Sequence, residues 1–365
     1  MFKKTDIVAV FVILFLFSNL SHSADTKLFG RFQAELNFEH RTPAPDPGLG
    51  IDDDAGMSRI GIHSIEKLSN SLTGVAHIEF RIDPSNGSIN GSDNTTVFRT
   101  RNAFVGMRGK YGYFRVGSFH GPYKTHGGIR YDPFVATHLQ ARIAGGMSGG
   151  IGYGGHNGFI RNALYFTSNK VDNIQLSIAI SPDDTNPAAG NGSGASMDSS
   201  LGLRYSKSQY EIIFAANINH QKTRHNQKMW KVGGKYNWGQ HILSTQLEFL
   251  YYGNFCEGGG LGGCYTRLTP PGGGAAFHTG PGIGAGQGII YFLGYQFKKG
   301  SYTLVSQFGY TWSANTNGRD TTYTAVGVIY KFLKKMRAFG GITRSDASGN
   351  YIDRNAVSLG IGMDF

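Results

Sequence analysis

The chain has 365 residues, of which 54 are glycine, 40% are hydrophobic and only 16% are charged, with a formal net charge of +11. The hydrophobic share is too high for a disordered chain, and no apolar run reaches the ~20 residues that a membrane-spanning helix needs. A glycine-rich, aromatic-rich and charge-poor β protein remains, built as several domains or as one large closed sheet.

The first residues form a targeting segment. Two lysines precede an apolar run at 7–17, and a short stretch of small and polar residues follows it. A positive start, a short apolar core and small residues before the cleavage point are the pattern of a secretory signal peptide. We therefore expect residues 1–23 to be removed and residues 24–365 to form a mature protein outside the cytoplasm.

The mature sequence alternates with period two from its beginning. Between 28 and 38 the even positions are apolar or small, while most odd positions are polar, and the stretches 72–82 and 357–365 repeat the pattern. Because successive side chains of a strand point to opposite faces, each stretch predicts a strand with one apolar face. No comparable stretch shows the spacing of an amphipathic helix.

The same alternation predicts sixteen strands along the chain. They span residues 27–39, 57–68, 72–82, 97–108, 113–119, 161–168, 174–181, 199–206, 210–219, 229–237, 241–252, 288–297, 301–311, 321–332, 336–345 and 356–365. Every second connection is a short turn and the others are long loops, which is typical of outer-membrane barrels. With an even number of strands, the first and last strands can pair and close the sheet.

A secreted β-sandwich is the alternative fold, because its inner faces also alternate. Here the polar partners of the apolar rows include arginine, glutamate, histidine and many glycines. This pattern favours a barrel that is apolar outside and wet inside. The predicted fold class is therefore all-β, a transmembrane antiparallel β-barrel with short periplasmic turns and long extracellular loops.

Both cysteines, Cys256 and Cys264, lie in one glycine-rich loop. In an oxidising compartment two cysteines this close most simply form a local disulfide. Metal binding by two thiols alone is weak, and no pair of histidines flanks them. We therefore predict a loop constraint, with no metal and no cofactor.

Several short motifs occur in a characteristic order. They are Leu-Phe-Gly-Arg-Phe at 28–32, Ser-Arg-Ile-Gly-Ile at 58–62, Arg-Asn-Ala-Phe-Val-Gly-Met at 101–107, Tyr-Phe-Arg-Val-Gly at 113–117, Pro-Tyr at 122–123, Tyr-Asp-Pro-Phe at 131–134, Arg-Asn-Ala-Leu-Tyr at 161–165 and a terminal Phe365. In this order the chain resembles the Gram-negative general porins, which are sixteen-stranded trimeric channels. The resemblance runs from the signal segment to the last residue.

The resemblance implies how such a chain would work in the outer membrane. The third long loop, 120–160 here, would fold into the barrel and narrow the pore, and the protein would be a homotrimer. The terminal Phe365 resembles the signal by which outer-membrane barrels reach the barrel assembly machinery. The other implied partners are outer-membrane lipid, lipopolysaccharide and small hydrophilic solutes.

The resemblance also suggests residues of the pore constriction. The family sets wall arginines against acidic residues of the third loop. Arg59 and Arg161 match wall positions, and Asp132 matches an acidic loop position. Ser118 stands where a third wall arginine is common, which leaves the full cluster in question.

Strand parity adds further lumen candidates. Arg31 and Arg81 fall on the polar face of their strands, whereas parity leaves the facing of Arg101 and Arg115 open. An arginine on the lipid face near mid-bilayer would cost about 2–4 kcal/mol. Both are therefore expected to point inward or to lie near an interface.

The charges of the third loop predict ion selectivity. Lys124, Arg130 and Arg142 outnumber Asp132, and the wall itself carries arginine. Positive charge around a narrow pore favours anions, so we predict passive diffusion of small hydrophilic solutes and ions with a mild anion preference. The alternative is that these charges point away from the constriction. The dispersed basic residues, without a recognition helix, do not indicate nucleic-acid binding.

Other functions of a barrel stay open. An adhesin would need large structured loops, and a lipid-modifying barrel enzyme would need a serine nucleophile beside a histidine base. The sequence shows no such constellation, although residues distant in sequence can meet in space. We therefore expect a channel and not an enzyme.

Overall fold

A computed structural model of the chain describes residues 24–42, 48–52, 58–82, 99–143, 146–148, 159–182, 195–221, 227–253, 286–313, 320–347 and 353–365. The predicted signal segment 1–23 and the pair Cys256 and Cys264 lie outside the described residues.

Seventeen strands are present in the described residues. They are β1 (Asp25–Thr42), β2 (Gly48–Asp52), β3 (Arg59–Lys67), β4 (Thr73–Arg81), β5 (Arg99–Gly109), β6 (Gly112–His120), β7 (Phe159–Ser168), β8 (Ile174–Ser181), β9 (Ala195–Ser206), β10 (Tyr210–Gln221), β11 (Gln227–Trp238), β12 (His241–Gly253), β13 (Gly286–Lys299), β14 (Tyr302–Ser313), β15 (Thr321–Leu333), β16 (Met336–Ala347) and β17 (Asp353–Asp364). All but β2 correspond to the sixteen predicted strands. The short β2 lies in the loop predicted at 40–56 and pairs with the upper part of β1.

The sheet is antiparallel and closed. Consecutive strands pair around the barrel, and β17 returns to β1 in a register that runs from Arg31 opposite Asp364 to Thr42 opposite Asp353. Gly30 and Phe365 exchange two backbone hydrogen bonds of 3.3 and 3.1 Å at the seam. Closure therefore confirms the predicted barrel and leaves no open sheet edge between the first and last strands.

The barrel is apolar on its outer face and polar on its inner face, which is the reverse of a water-soluble protein. On β1, Leu36 is 45% exposed on the outer face, whereas its neighbour Glu35 is 1% exposed on the inner face. On β17, Leu359 is 60% exposed and Ser358 is fully buried. An outer surface of this kind is suited to hydrocarbon and not to water. None of the helices in the described part of the chain is long and apolar enough to cross a membrane.

The third long loop folds into the barrel, as predicted. Its described part contains a short helix, α1 (Pro122–Thr125), and two 3-10 turns. Its apolar side chains join those of β10 and β13–β16 in one buried cluster: Tyr131, Phe134, Leu139, Ala141, Met147, Ile213, Phe292, Val305, Tyr323, Ala325, Ile329 and Phe339. A second cluster packs Tyr123 against inward-facing residues of β10–β13. Both clusters therefore lie inside the barrel, between this loop and the wall formed by β10–β16.

Candidate pore constriction

Three arginines lie side by side on the inner wall. Arg31 of β1 is opposite Arg59 of β3, and Arg59 is opposite Arg81 of β4. Directly opposed residues of neighbouring strands project from the same face of the sheet. We call these three residues the arginine row. The structure therefore brings together three of the wall residues that the sequence suggested.

Carboxylates of the wall balance part of this charge. Glu79 of β4 lies 3.3 Å from the Nε atom of Arg59 and 2.5 Å from that of Arg101 on β5. At the other end of the row, Arg31 forms a bidentate pair with Asp364. Arg101 thus joins the row through Glu79, which resolves the facing that strand parity left open.

The loop places basic side chains near Arg101 and Glu79. Lys124 of α1 is buried and its Nζ atom lies 5.1 Å from the centroid of the Phe159 ring. Burial, with the nearby charges of Arg142 and Arg101, holds the pKa of Lys124 well below its usual value. Burial is the larger cause of this shift, and the basic side chains of Arg142 and Arg101 add to it.

Asp132 has a different environment from the one that the sequence suggested. It is buried, and its carboxylate accepts hydrogen bonds from the backbone N–H groups of Phe134 and Ala141 at 2.8 and 2.9 Å. The side chain of Gln307 on β14 donates a third, at 2.8 Å. Burial raises the pKa of Asp132 and the hydrogen bonds oppose that shift. The structure places this carboxylate inside the loop and against β14, not against the arginine row.

Arg161 and Ser118 lie beside a bulge. The pairing of β6 with β7 steps from Gly117 and Ala163 to Phe119 and Ile160, which leaves one extra residue in β7. A bulge re-aims the side chains next to it, and Arg161 forms no salt bridge with any described residue. Ser118 donates a 3.5 Å hydrogen bond to the carbonyl of Arg101. Ser118 therefore adjoins Arg101, and a role of Arg161 in the constriction stays a prediction.

Polar wall residues anchor the tip of the loop. Glu35 of β1 accepts hydrogen bonds from the N–H of His138 at 2.9 Å and from the hydroxyl of Ser358 at 2.8 Å. The Gln33 amide donates to the carbonyl of Ala136 at 2.7 Å. These contacts tie the loop to the β1–β17 seam. The sequence showed that Glu35 and Gln33 face inward. It did not show their contacts with the loop, because strand parity does not specify which residues a side chain contacts.

A second anchor lies on β11 and β12. The buried carboxylate of Glu248 accepts hydrogen bonds from the Tyr123 hydroxyl at 2.7 Å and the Ser148 hydroxyl at 2.6 Å. Lys231 lies 3.9 Å from the same carboxylate and 3.8 Å from the centroid of the Tyr123 ring. Loss of one partner from such a buried charged group is strongly destabilising. The loop is therefore held firmly on this side of the barrel.

The open passage follows from this asymmetry. The inner wall from β10 to β16 is covered by the loop, and Glu248 on it is 1% exposed. On the other side, the Arg59 side chain keeps 25% of its surface exposed. The arginine row is therefore more exposed to the lumen than the wall that lies beneath the loop.

Solved structures of outer-membrane barrels have the same fold. The chain is similar to the anion-selective porin from Comamonas acidovorans, with 15% identity, 94% of this chain and 100% of that chain covered, and a TM-score of 0.73. It is also similar to OmpF of Salmonella typhi in complex with daunomycin, with 15% identity, 93% of this chain and 97% of that chain covered, and a TM-score of 0.68. A third similar structure is OmpT of Vibrio cholerae, with 14% identity, 94% of this chain and 99% of that chain covered, and a TM-score of 0.64. At these identities the similarity concerns the fold.

Family membership is shown by the sequence. A search of curated proteins finds no significant match. The model of the family described as Gram-negative porin matches residues 9–350, which is most of the chain. With this match and a closed barrel of sixteen spanning strands, the chain belongs to the Gram-negative porins, outer-membrane channels for the passive diffusion of small hydrophilic solutes.

Proposed function

We propose that this porin favours anions and that the arginine row sets this preference. The observation that carries the proposal is the register that places Arg31, Arg59 and Arg81 next to one another on the open side of the lumen. Arg101 extends the basic surface, and Glu79 offsets only part of it. A narrow passage lined by excess positive charge concentrates anions and repels cations.

Of the residues matched by family resemblance, we assign Arg59 to the constriction and give Asp132 a role in ordering the loop. The buried hydrogen bonds of Asp132 support that role. Where Ser118 departs from the common arginine, Arg101 on the neighbouring strand supplies a cation instead. Arg161 takes no part in selectivity in this proposal.

The reversal potential in a KCl gradient tests the anion preference. Purified porin in a planar bilayer should give a potential of the sign expected for chloride. Replacing Arg59 with glutamine should shift that potential toward cation selectivity. A wild-type channel with the cation-selective sign would overturn the proposal.

We also propose that the docked loop limits the size of the solutes. The loop fills the space against β10–β16 and leaves the passage beside the arginine row. Liposomes that contain the porin should swell quickly in small sugars and progressively more slowly in larger ones. If liposomes with correctly folded protein do not swell, the proposal is contradicted. An adhesin or a lipid-modifying enzyme would then be favoured.

We propose that the channel is a homotrimer embedded in outer-membrane lipid and lipopolysaccharide. Exposed apolar residues on β1 and β17, such as Leu28 and Leu359, offer an outer surface for lipid or for another copy. We further propose that the barrel assembly machinery recognises Phe365. Three equal closing steps in one conductance trace would support a trimer, and single steps throughout would contradict it.

A further inference from the structure

A continuous run of aromatic rings lies on the periplasmic side of the arginine row. Phe29 of β1 stacks on His77 of β4 with ring centroids 5.1 Å apart. His77 stacks on Phe104 of β5 at 5.0 Å and 10°. Phe104 then meets Tyr113 of β6 edge-on at 6.3 Å. We call these four residues the aromatic track.

The track faces the lumen. His77 shares the inward parity of Glu79, and Phe104 lies opposite His77 in the register. All four rings are half-buried, so each presents part of its surface to the passage. Two fully buried rings, Phe119 and Tyr165, support the track from the side of β6 and β7. The exposed part of the track is therefore available to a passing solute.

A cation lies within the track. The guanidinium carbon of Arg115 is 3.8 Å from the centroid of the Tyr165 ring, 4.8 Å from that of Tyr113 and 5.4 Å from that of Phe104. Its side chain donates a hydrogen bond to Thr167 at 3.3 Å. Among the described residues no carboxylate forms a salt bridge with Arg115. A half-buried cation held by rings and not by an acid keeps its charge available to a dissolved anion.

The distance between the arginine row and the aromatic track matches the length of one small molecule. His77 is four residues from Arg81 along β4, and Phe29 is two residues from Arg31 along β1. At ~3.3 Å per residue the track lies about 7 to 13 Å below the arginine row. An anion that leaves the row toward the periplasm therefore meets the rings and Arg115 within about one molecular length.

We infer that the aromatic track and Arg115 form a binding station for aromatic carboxylates in the lumen. The inference rests on the proposed anion preference, because the arginine row must first admit the anion. Arg115 binds the carboxylate, and the half-buried rings contact the ring of the solute edge-on or in an offset stack. An aliphatic acid of the same charge and size makes the ionic contact but lacks the ring–ring contact.

The test compares benzoate with cyclohexanecarboxylate as blockers of chloride current through the full porin in a planar bilayer. Wild-type channels should be blocked by benzoate at a concentration about two- to tenfold lower, the range expected for one aromatic contact. Phe104→Leu should abolish this difference, whereas Arg115→Gln should weaken block by both acids. Phe114→Leu, on the outer face of β6 next to Arg115, is the matched control and should change neither.

Equal block of wild-type channels by the two acids would overturn the inference, as would a benzoate preference that survives Phe104→Leu. If Phe104→Leu does not assemble, Tyr113→Leu tests the same track. The reversal potential measured in the same membranes separates the two proposals. A cation-selective sign refutes the proposed function, and an anion-selective sign without benzoate preference refutes only the binding station.

Discussion

Replacing Glu79 with glutamine should make the channel more selective for anions. Glu79 is a carboxylate that is 5% exposed and lies between Arg59 and Arg101, both of which are partly exposed to the lumen. The two arginines stay charged when it is removed, because arginine does not lose its proton at accessible pH. The substitution therefore raises the charge of the constriction by one full unit with almost no change in shape.

The magnitude follows from Coulomb's law. A unit charge acts on an ion at roughly 6 Å in water with about 0.7 kcal/mol, and the effect has opposite signs for chloride and potassium. Salt at 0.1 M weakens it, because the screening length is about 10 Å. The permeability ratio of chloride to potassium should therefore rise about two- to fourfold.

The assay is the reversal potential of purified channels in a KCl gradient. Glu66→Gln removes the same charge from the outward-facing parity of β3 and serves as the control. Only Glu79→Gln should shift the potential, and the shift should shrink when all salt concentrations are raised. An unchanged ratio, or a shift toward potassium, would show that permeating ions do not sense Glu79.

Three further predictions concern the loop and the seam. Asp132→Asn should increase flicker of the open-channel current without changing ion selectivity, because it weakens about 2 kcal/mol of hydrogen bonding inside the loop. Flicker equal to that of wild-type channels would refute this prediction. Gly30→Val should lower the yield of heat-modifiable barrel on gels, since the Phe365 ring occupies the space of a Cβ there, while Gly48→Val, where the space is open, should not. Burial, then the charge of Arg204, lowers the pKa of His126 to about 3. Protonation of His126 thus favours the undocked loop below about pH 6.5, by up to about 1.4 kcal/mol per pH unit toward pH 3. Flicker of the open-channel current should therefore rise more steeply on acidification in wild type than in His126→Asn.

The strands were predictable because each carries a strong local signal. Alternation between a lipid-facing and an inward-facing row persists for eight or more residues in nearly every strand, and long loops separate the pairs. The strand β2 was missed because Gly48–Asp52 is short and owes its conformation to pairing with β1. Pairing of this kind is a tertiary effect that a local pattern does not encode.

The constriction was only partly predictable. Parity identified Arg31 and Arg81 as inward-facing, but their contact with Arg59 depends on the pairing register, which alternation alone does not specify. A bulge in β7 lies beside Arg161, and a bulge adds one residue without a distinct sequence signal. Family resemblance suggested a pore charge at Asp132, yet the backbone N–H groups of the folded loop take up its carboxylate.

The inner wall has two kinds of polar surface that alternation does not distinguish. Polar residues such as Glu35 and Glu248 are buried under the loop, where each must find a hydrogen-bonding partner. Those of the arginine row remain in contact with water. A polar change on the loop side should therefore alter gating and stability, because it frees the loop, whereas a change on the open side should alter selectivity. Removal of Glu248 and removal of Glu79 delete the same charge from the same lumen, and the side of the lumen determines which property changes.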